Sequence, residues 1–190
     1  DRQGRFVFGT LDERPCRDAI ASFYRLNLDL TLERLPLPAI AISNSICFSV
    51  DGTAMYFCDS MKKAIYRWDD YLGGDASRVR VFAVLEPGPG AADGATIDAD
   101  DHLWSAQWGG GKVLRFAPDG SVERAVTLPV SQPSCVSLGG GAFDELFITT
   151  AQESLAPAQL AAEPLAGGLF HARQPGVRGL PEVRFGALPA

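Results

Sequence analysis

Short apolar runs rich in Val, Ile, Phe, Tyr and Trp recur every 10 to 12 residues along the chain, separated by Gly, Pro, Asp and Asn. That rhythm is the mark of short strands joined by turns, not of helices with their 3.6-residue period. It predicts strands over residues 5–9, 22–26, 45–49, 55–59, 64–68, 79–84, 95–98, 103–107, 112–116, 122–128, 135–138, 145–149 and 168–171. The one stretch with helical composition, 156–162, carries Pro157 and is followed by Pro164, and reads as an irregular loop. Asp51-Gly52 and Asp119-Gly120 each fall between two apolar runs, where Asp-Gly supplies the positive φ of a tight hairpin turn.

The strands repeat. Phe6, Tyr56, Trp104 and Phe147 hold the same place in successive units, at spacings of 50, 48 and 43 residues. A second series follows each of them: Tyr24-Arg25-Leu26, Tyr66-Arg67-Trp68, Leu114-Arg115-Phe116 and Leu169-Phe170-His171. A unit of about 45 residues with about four strands is the signature of a β-propeller blade. Residues 1–190 therefore read as one all-β domain of about four blades, the lower limit for a closed ring. The chain opens in the aromatic strand of a unit, so an N-terminal piece is expected to be missing, or self-association or a complementing chain to close the ring.

Composition narrows the function. With 46% hydrophobic and 21% charged residues the chain can bury a core, and the net charge of −6 comes without any Lys/Arg cluster. Nucleic acids and anionic membranes are bound through concentrated positive charge, so neither is an expected partner. A small neutral ligand fits better. The first residues lack the order of a signal peptide, and no apolar run reaches the ~18 residues of a membrane span. Cys16, Cys47, Cys58 and Cys135 are widely spaced in apolar context, away from zinc-site spacings, and read as buried free thiols of a reducing cytoplasm.

Nucleophilic machinery is absent from the spacing: no nucleophile elbow surrounds a serine, and His102 and His171 read as a turn residue and a strand-end residue. Gly109-Gly110-Gly111 and Gly139-Gly140-Gly141 are each followed by a strand, so they are turns and not phosphate loops. What is left is a pair of oxygen donors: Asn44 and Asp93 each immediately precede the first strand of a unit. First strands of propeller blades surround the central channel, so equivalent residues converge there, and an Asn/Asp oxygen set suits Ca²⁺, Mg²⁺ or Mn²⁺. The alternative is that both are turn formers capping their strands.

Ile42-Ser43-Asn44, Phe48-Ser49, Asp51-Gly52, Tyr56 and Asp59-Ser60 resemble the SMP-30/gluconolactonase (regucalcin-like) family. So do Asp93-Gly94, Ile97-Asp98-Ala99, Leu103-Trp104, Trp108-Gly109-Gly110-Gly111, Val113 to Phe116, Leu128-Pro129-Val130 and Ala166-Gly167-Gly168-Leu169-Phe170, in collinear order over essentially the whole chain. The resemblance implies a six-bladed β-propeller that hydrolyses sugar lactones with a divalent cation in its central channel. This chain would supply about the last four blades, with the N-terminal blades missing. Asn44 matches a metal-binding asparagine; Asp93 matches a metal-binding aspartate that is also the general base. The family's N-terminal glutamate ligand and its Arg-x-Asn segment would lie before Asp1. Glu13 matches an acidic position near the substrate hydroxyls, with Arg14 as the other candidate for it.

Trp108 is either a wall of the sugar pocket or packing between blades; Asp59 is either a turn carboxylate or a partner of the metal site. Ser45 stands where the family has glycine, and Ala92 where it has proline. The expected cofactor is a divalent cation, Ca²⁺ first, with Zn²⁺, Mn²⁺ or Mg²⁺ as alternatives, and the expected substrate is a small sugar lactone. The competing readings are a non-catalytic calcium- or ligand-binding propeller and an inactive truncated fragment acting as a scaffold.

Overall fold

The apolar runs pair with their neighbours in sequence to form four antiparallel sheets in the computed structural model, which describes residues 1–186. The first sheet holds β1 (Phe6–Gly9), β2 (Phe23–Leu26) and β3 (Leu32–Arg34), and the second β4 (Ser43–Phe48), β5 (Met55–Asp59), β6 (Ala64–Trp68) and β7 (Val79–Val84). The third holds β8 (Ala91–Ile97), β9 (Leu103–Trp108), β10 (Lys112–Phe116) and β11 (Val122–Thr127), and the fourth β12 (Pro133–Gly139), β13 (Glu145–Thr150) and β14 (Leu169–Arg173). Spatial order follows chain order within every sheet. Each is thus an up-and-down blade of a partial β-propeller, closed by tight turns such as those at Gly52 (φ +72°) and Gly120 (φ +88°).

Twisted sheets stack by burying the alternate residues of their facing sides, and three apolar clusters occupy the three spaces between four blades. Phe23, Leu35, Phe57 and Trp68 fill the first, Tyr56, Ile65, Phe82, Leu103 and Phe116 the second, and Trp104, Val113, Val136, Leu146 and Ile148 the third. Polar anchors inside the second and third blades join the apolar packing. Arg67 donates to the Tyr56 hydroxyl at 2.7 Å, and buried Asp98 accepts from Trp104 Nε1 at 2.9 Å and Arg115 Nε at 2.8 Å.

The first strands of consecutive blades, β4, β8 and β12, lie side by side. Gly94 of β8 faces Cys135 so closely that an added Cβ would stand 2.5 Å from its Sγ and 2.8 Å from its Cα. Only glycine permits that approach.

Several expectations need correction. The register pairs Arg67 with Tyr56 and Arg115 with Trp104, whereas Arg25 pairs with Val7 and Phe170 with Ile148. Phe6 and Phe147 are therefore one residue out of step with Tyr56 and Trp104, and a one-residue slip turns a side chain to the opposite face. Phe6 is accordingly exposed while Tyr56 and Trp104 are fully buried. Strand β3 escapes the apolar pattern because Leu32, Glu33 and Arg34 are all exposed. The 156–162 stretch is not a loop: α1 (Pro157–Ala162) forms there, with Pro157 in the first turn, where its missing N–H costs nothing, and Gln159 Oε1 accepting from Ala156 N–H at 3.0 Å.

Asn44 and Asp93 lie inside β4 and β8 and not before them, because both strands start earlier and each carries a register shift next to these residues. All four cysteines are free, but only Cys58 is buried; Cys16 and Cys135 are exposed. His102 sits in its turn with Nδ1 3.1 Å from Asp100 O, and His171 pairs with Glu145 at 2.7 Å, as residues of local structure. Among the described residues no helix is long and apolar enough to cross a membrane.

The contact at Gly94 gives a direct test of blade spacing. Gly94→Ala is expected to lower the unfolding free energy by about 1–3 kcal/mol through overpacking. Gly141→Ala, where an added Cβ meets nothing within 4 Å, is expected to change it by less than about 0.5 kcal/mol. Urea unfolding midpoints of the two variants report the difference.

Candidate functional site

The site starts from a buried carboxylate. Asp59, 1% exposed, accepts from the backbone N–H groups of Ala41 and Ile42, both at 3.2 Å, and of Met61 at 3.3 Å. It pins the chain entering β4 to the end of β5 and does not line the cavity, the part of a turn carboxylate.

Two hydroxyls then tie the second blade to the third. Ser60 Oγ donates to Ala92 O at 2.7 Å, and Ser45 Oγ donates to Asp93 O at 2.6 Å. A hydroxyl has a single proton, so Ser60 Oγ can only accept from Asn44, whose Nδ2 lies 3.0 Å away. The amide is thereby oriented: its NH₂ is used inside the protein, and among the described residues Oδ1 has no donor. Ser45 adopts φ +57°, the left-handed conformation that glycine would take without strain. Unlike a glycine, it places a hydroxyl on the Asp93 carbonyl.

Asn44, Asp93, Glu13 and Trp108 all line one cavity of about 600 Å³, together with Leu11, Arg17, Ile42, Ser60, Met61, Ala91 and Glu153. Trp108 is thus a wall of the cavity and not packing between blades. Of the two candidates on the β1–β2 loop, Glu13 faces the cavity. Arg14 instead pairs with Asp12 at 2.8 Å and Asp18 at 2.9 Å. Buried Asp12 braces that loop by accepting from the Asp18 N–H at 2.6 Å, while its own N–H reaches Ala41 O at 2.9 Å.

Three polar lining residues were not site candidates from the sequence. Ser60 was visible only as the second half of an Asp-Ser turn, Arg17 sits in a loop without a repeat partner, and Glu153 follows β13 in a segment no other blade has.

Burial pushes the Asp93 carboxyl up to about 6, with the negative charge of Glu153 adding to the rise and the Gly94 N–H opposing it. No cation offsets it: among the described residues Asp93 has no ion pair. A half-buried carboxylate with a raised pKa beside an unused amide oxygen is a donor set that fits a hard divalent cation. A second acidic group, Asp12, Cys16 and Asp18, has ligand atoms within 4.8 Å of one another, but Asp12 and Asp18 are already held by Arg14. A smaller cavity of about 230 Å³ lies between β1, β4 and β8, where Arg5 and Asp1 pair at 2.7 Å.

Comparison with known proteins adds four findings. The profile of the family described as SMP-30/Gluconolactonase/LRE-like region matches residues 1–152. The chain is 48% identical over 191 residues to L-arabinolactonase of Azospirillum brasilense, covering 100% of this chain and 62% of that protein. It is 36% identical over 178 residues to 6-deoxy-6-sulfogluconolactonase of Pseudomonas putida, covering 91% of this chain and 59% of that one. Among solved structures, a calcium-binding protein, regucalcin, from Agrobacterium tumefaciens superposes with a TM-score of 0.86 at 30% identity, covering 97% of this chain and 62% of that chain. The chain thus spans about three fifths of the length of the proteins it matches.

The electrostatics of Asp93 can be measured without cation. A carboxyl whose pKa rises on folding binds its proton more tightly when folded, so its contribution is most favourable below pH ~4. It is lost as pH rises from ~4 to about 6 and is flat above that. In chelator, Asp93→Asn is expected to be about 2 kcal/mol more stable than the wild type at pH 8 and indistinguishable from it at pH ~3.5. Paired urea titrations at the two pH values provide the check.

Proposed function

The chain belongs to the SMP-30/gluconolactonase/LRE-like family, and from that premise we propose that it hydrolyses a small sugar lactone using a divalent cation held by Asn44 and Asp93. One observation carries the reading: Asn44 Oδ1, with its NH₂ tied to Ser60, and the unpaired Asp93 carboxylate line the same cavity from neighbouring blades. Oxygen-only donors favour Ca²⁺, and Mg²⁺, Mn²⁺ and Zn²⁺ are compatible with them. Lactonase names among the relatives support the reaction class.

When bound, the cation would supply Lewis-acid polarisation of the ring carbonyl. The residues of the chain do the rest. The ionised Asp93 carboxylate accepts a proton from a water as that water adds to the ester carbon. The ring C–O bond then breaks, the ring oxygen takes that proton back from Asp93, and an open hydroxy acid is released with the carboxylate regenerated. Trp108 offers a flat apolar wall to the less polar face of the sugar ring, and Glu13 offers acceptors to its hydroxyls. In this reading residues 1–190 form one propeller domain, and the outer edges of β1 and β14, which have no strand partner among the described residues, are where further strands pair.

A second reading, cation or ligand binding without hydrolysis, draws on the regucalcin structure described as a calcium-binding protein. Titration of acid release from glucono-1,5-lactone or a pentono-1,4-lactone with Ca²⁺, Zn²⁺ or Mn²⁺, corrected for spontaneous opening, separates the two. Hydrolysis predicts a chelator-sensitive rate above background and a drop in kcat of about 100-fold or more in Asp93→Asn. A near wild-type rate in that variant removes Asp93 as the base, and no rate with any cation leaves the binding reading.

A further inference from the structure

Glu153 lines the cavity with Asp93 and Trp108, yet its carboxylate enters no ion pair or hydrogen bond among the described residues. Its backbone, in contrast, is anchored. The amide of Gln132, 8% exposed, donates to Glu153 O at 3.1 Å, the next residue, Ser154, takes a left-handed φ of +60°, and Gln152 Nε2 donates to Ala166 O at 2.7 Å. A fixed loop therefore presents a free carboxylate to the cavity.

We propose that Glu153 is a specificity-determining residue, which accepts hydrogen bonds from the hydroxyls of neutral polyhydroxylated lactones and disfavours lactones that carry a negative charge. The inference rests on the lactonase reading and deepens it by naming the substrate class.

An ionised carboxylate accepts only, and its two oxygens can take adjacent hydroxyls of one sugar ring. Hydrogen bonds to a charged group are the stronger kind, so this contact discriminates between rings with and without hydroxyls. Charge supplies the second half of the argument. The carboxylates lining the cavity are Glu13, Asp93 and Glu153, against the single guanidinium of Arg17, which already donates to Asp12 O at 2.5 Å. A substrate anion would enter against that excess, and Glu153 is near enough for its charge to act on Asp93. Among the described residues, the carboxylate oxygens of Glu13, Asp93 and Glu153 do not form a group within 4.8 Å of one another; direct ligation by Glu153 beside Asn44 and Asp93 is the alternative that the Ca²⁺ affinity of the variants decides.

The test compares Glu153→Gln and Glu153→Ala with the wild type at saturating Ca²⁺ on three lactones. These are a neutral pentono-1,4-lactone, γ-valerolactone, which has a five-membered ring without hydroxyls, and glucaro-1,4-lactone, which keeps an ionised carboxylate. For Glu153→Ala we expect KM on the pentonolactone to rise about tenfold, some 1.4 kcal/mol, with kcat changed less than about threefold and no change in KM on γ-valerolactone. For both variants kcat/KM on the glucarolactone rises at least about threefold as the like charge is removed.

Equal KM changes on rings with and without hydroxyls, unchanged selectivity against the anion, or a Ca²⁺ affinity weakened about tenfold would each overturn the assignment. If the wild type opens none of the lactones, the lactonase reading fails by itself. Glu153 is then judged on calorimetric binding of 1,5-anhydroglucitol, where a tenfold loss in Glu153→Ala upholds the hydroxyl-binding role and an unchanged affinity ends it.

Discussion

Ser60 has one hydroxyl proton, and it goes to the carbonyl oxygen of Ala92 in the neighbouring blade. That assignment decides which end of the Asn44 amide turns inward, and so leaves Oδ1 for the cavity. Ser45 does the same for the other strand, holding the carbonyl of Asp93 while its own backbone sits in a conformation that favours glycine. The cation-binding geometry we propose is thus set by two short side chains, Ser45 in β4 and Ser60 just after β5, that reach the carbonyls of β8. Apolar contact between the blades excludes water but cannot orient an amide; a hydroxyl with a single proton can.

These bridges work only because the first strands approach closely. The β4–β8 approach is maintained by the buried aromatic and aliphatic cluster between the second and third blades, and on the other side of β8 Gly94, whose missing side chain leaves room for Cys135, allows the matching approach of β12. Close strands in turn bring a carboxylate and an amide oxygen from different blades to one cavity, where burial and Glu153 raise the pKa of Asp93. The chain thereby stores an unfavourable charge that a cation would relieve. On the proposed reading, a divalent cation bound there would stabilise the β4–β8 seam.

Strand composition and Asp-Gly turns made most of the blades legible in the sequence, since both are local signals. The equivalence of Asn44 and Asp93 was legible because the repeat is long enough to align. Register was not: Phe6 and Phe147 look like repeat partners of Tyr56 and Trp104 by composition, but hydrogen-bond pairing shifts each by one residue, and side-chain type alone does not encode that shift. Strand β3 was hidden because it is exposed on both faces, and α1 because a proline marks a helix start as readily as a break. Glu153 and Ser60 were out of reach for a different reason. Their importance comes from what other segments place beside them: Gln132 for one, Ala92 and Asn44 for the other.

The central claim is that Asn44 and Asp93 together form a cation site governed by the β4–β8 seam. Anomalous diffraction from crystals grown with Mn²⁺ tests it most directly. The account predicts one strong peak about 2.0–2.6 Å from both Asn44 Oδ1 and an Asp93 carboxylate oxygen. A strong peak at Asp12, Cys16 and Asp18 with none in the cavity, or no peak at Asn44 and Asp93 at saturating Mn²⁺, would contradict it.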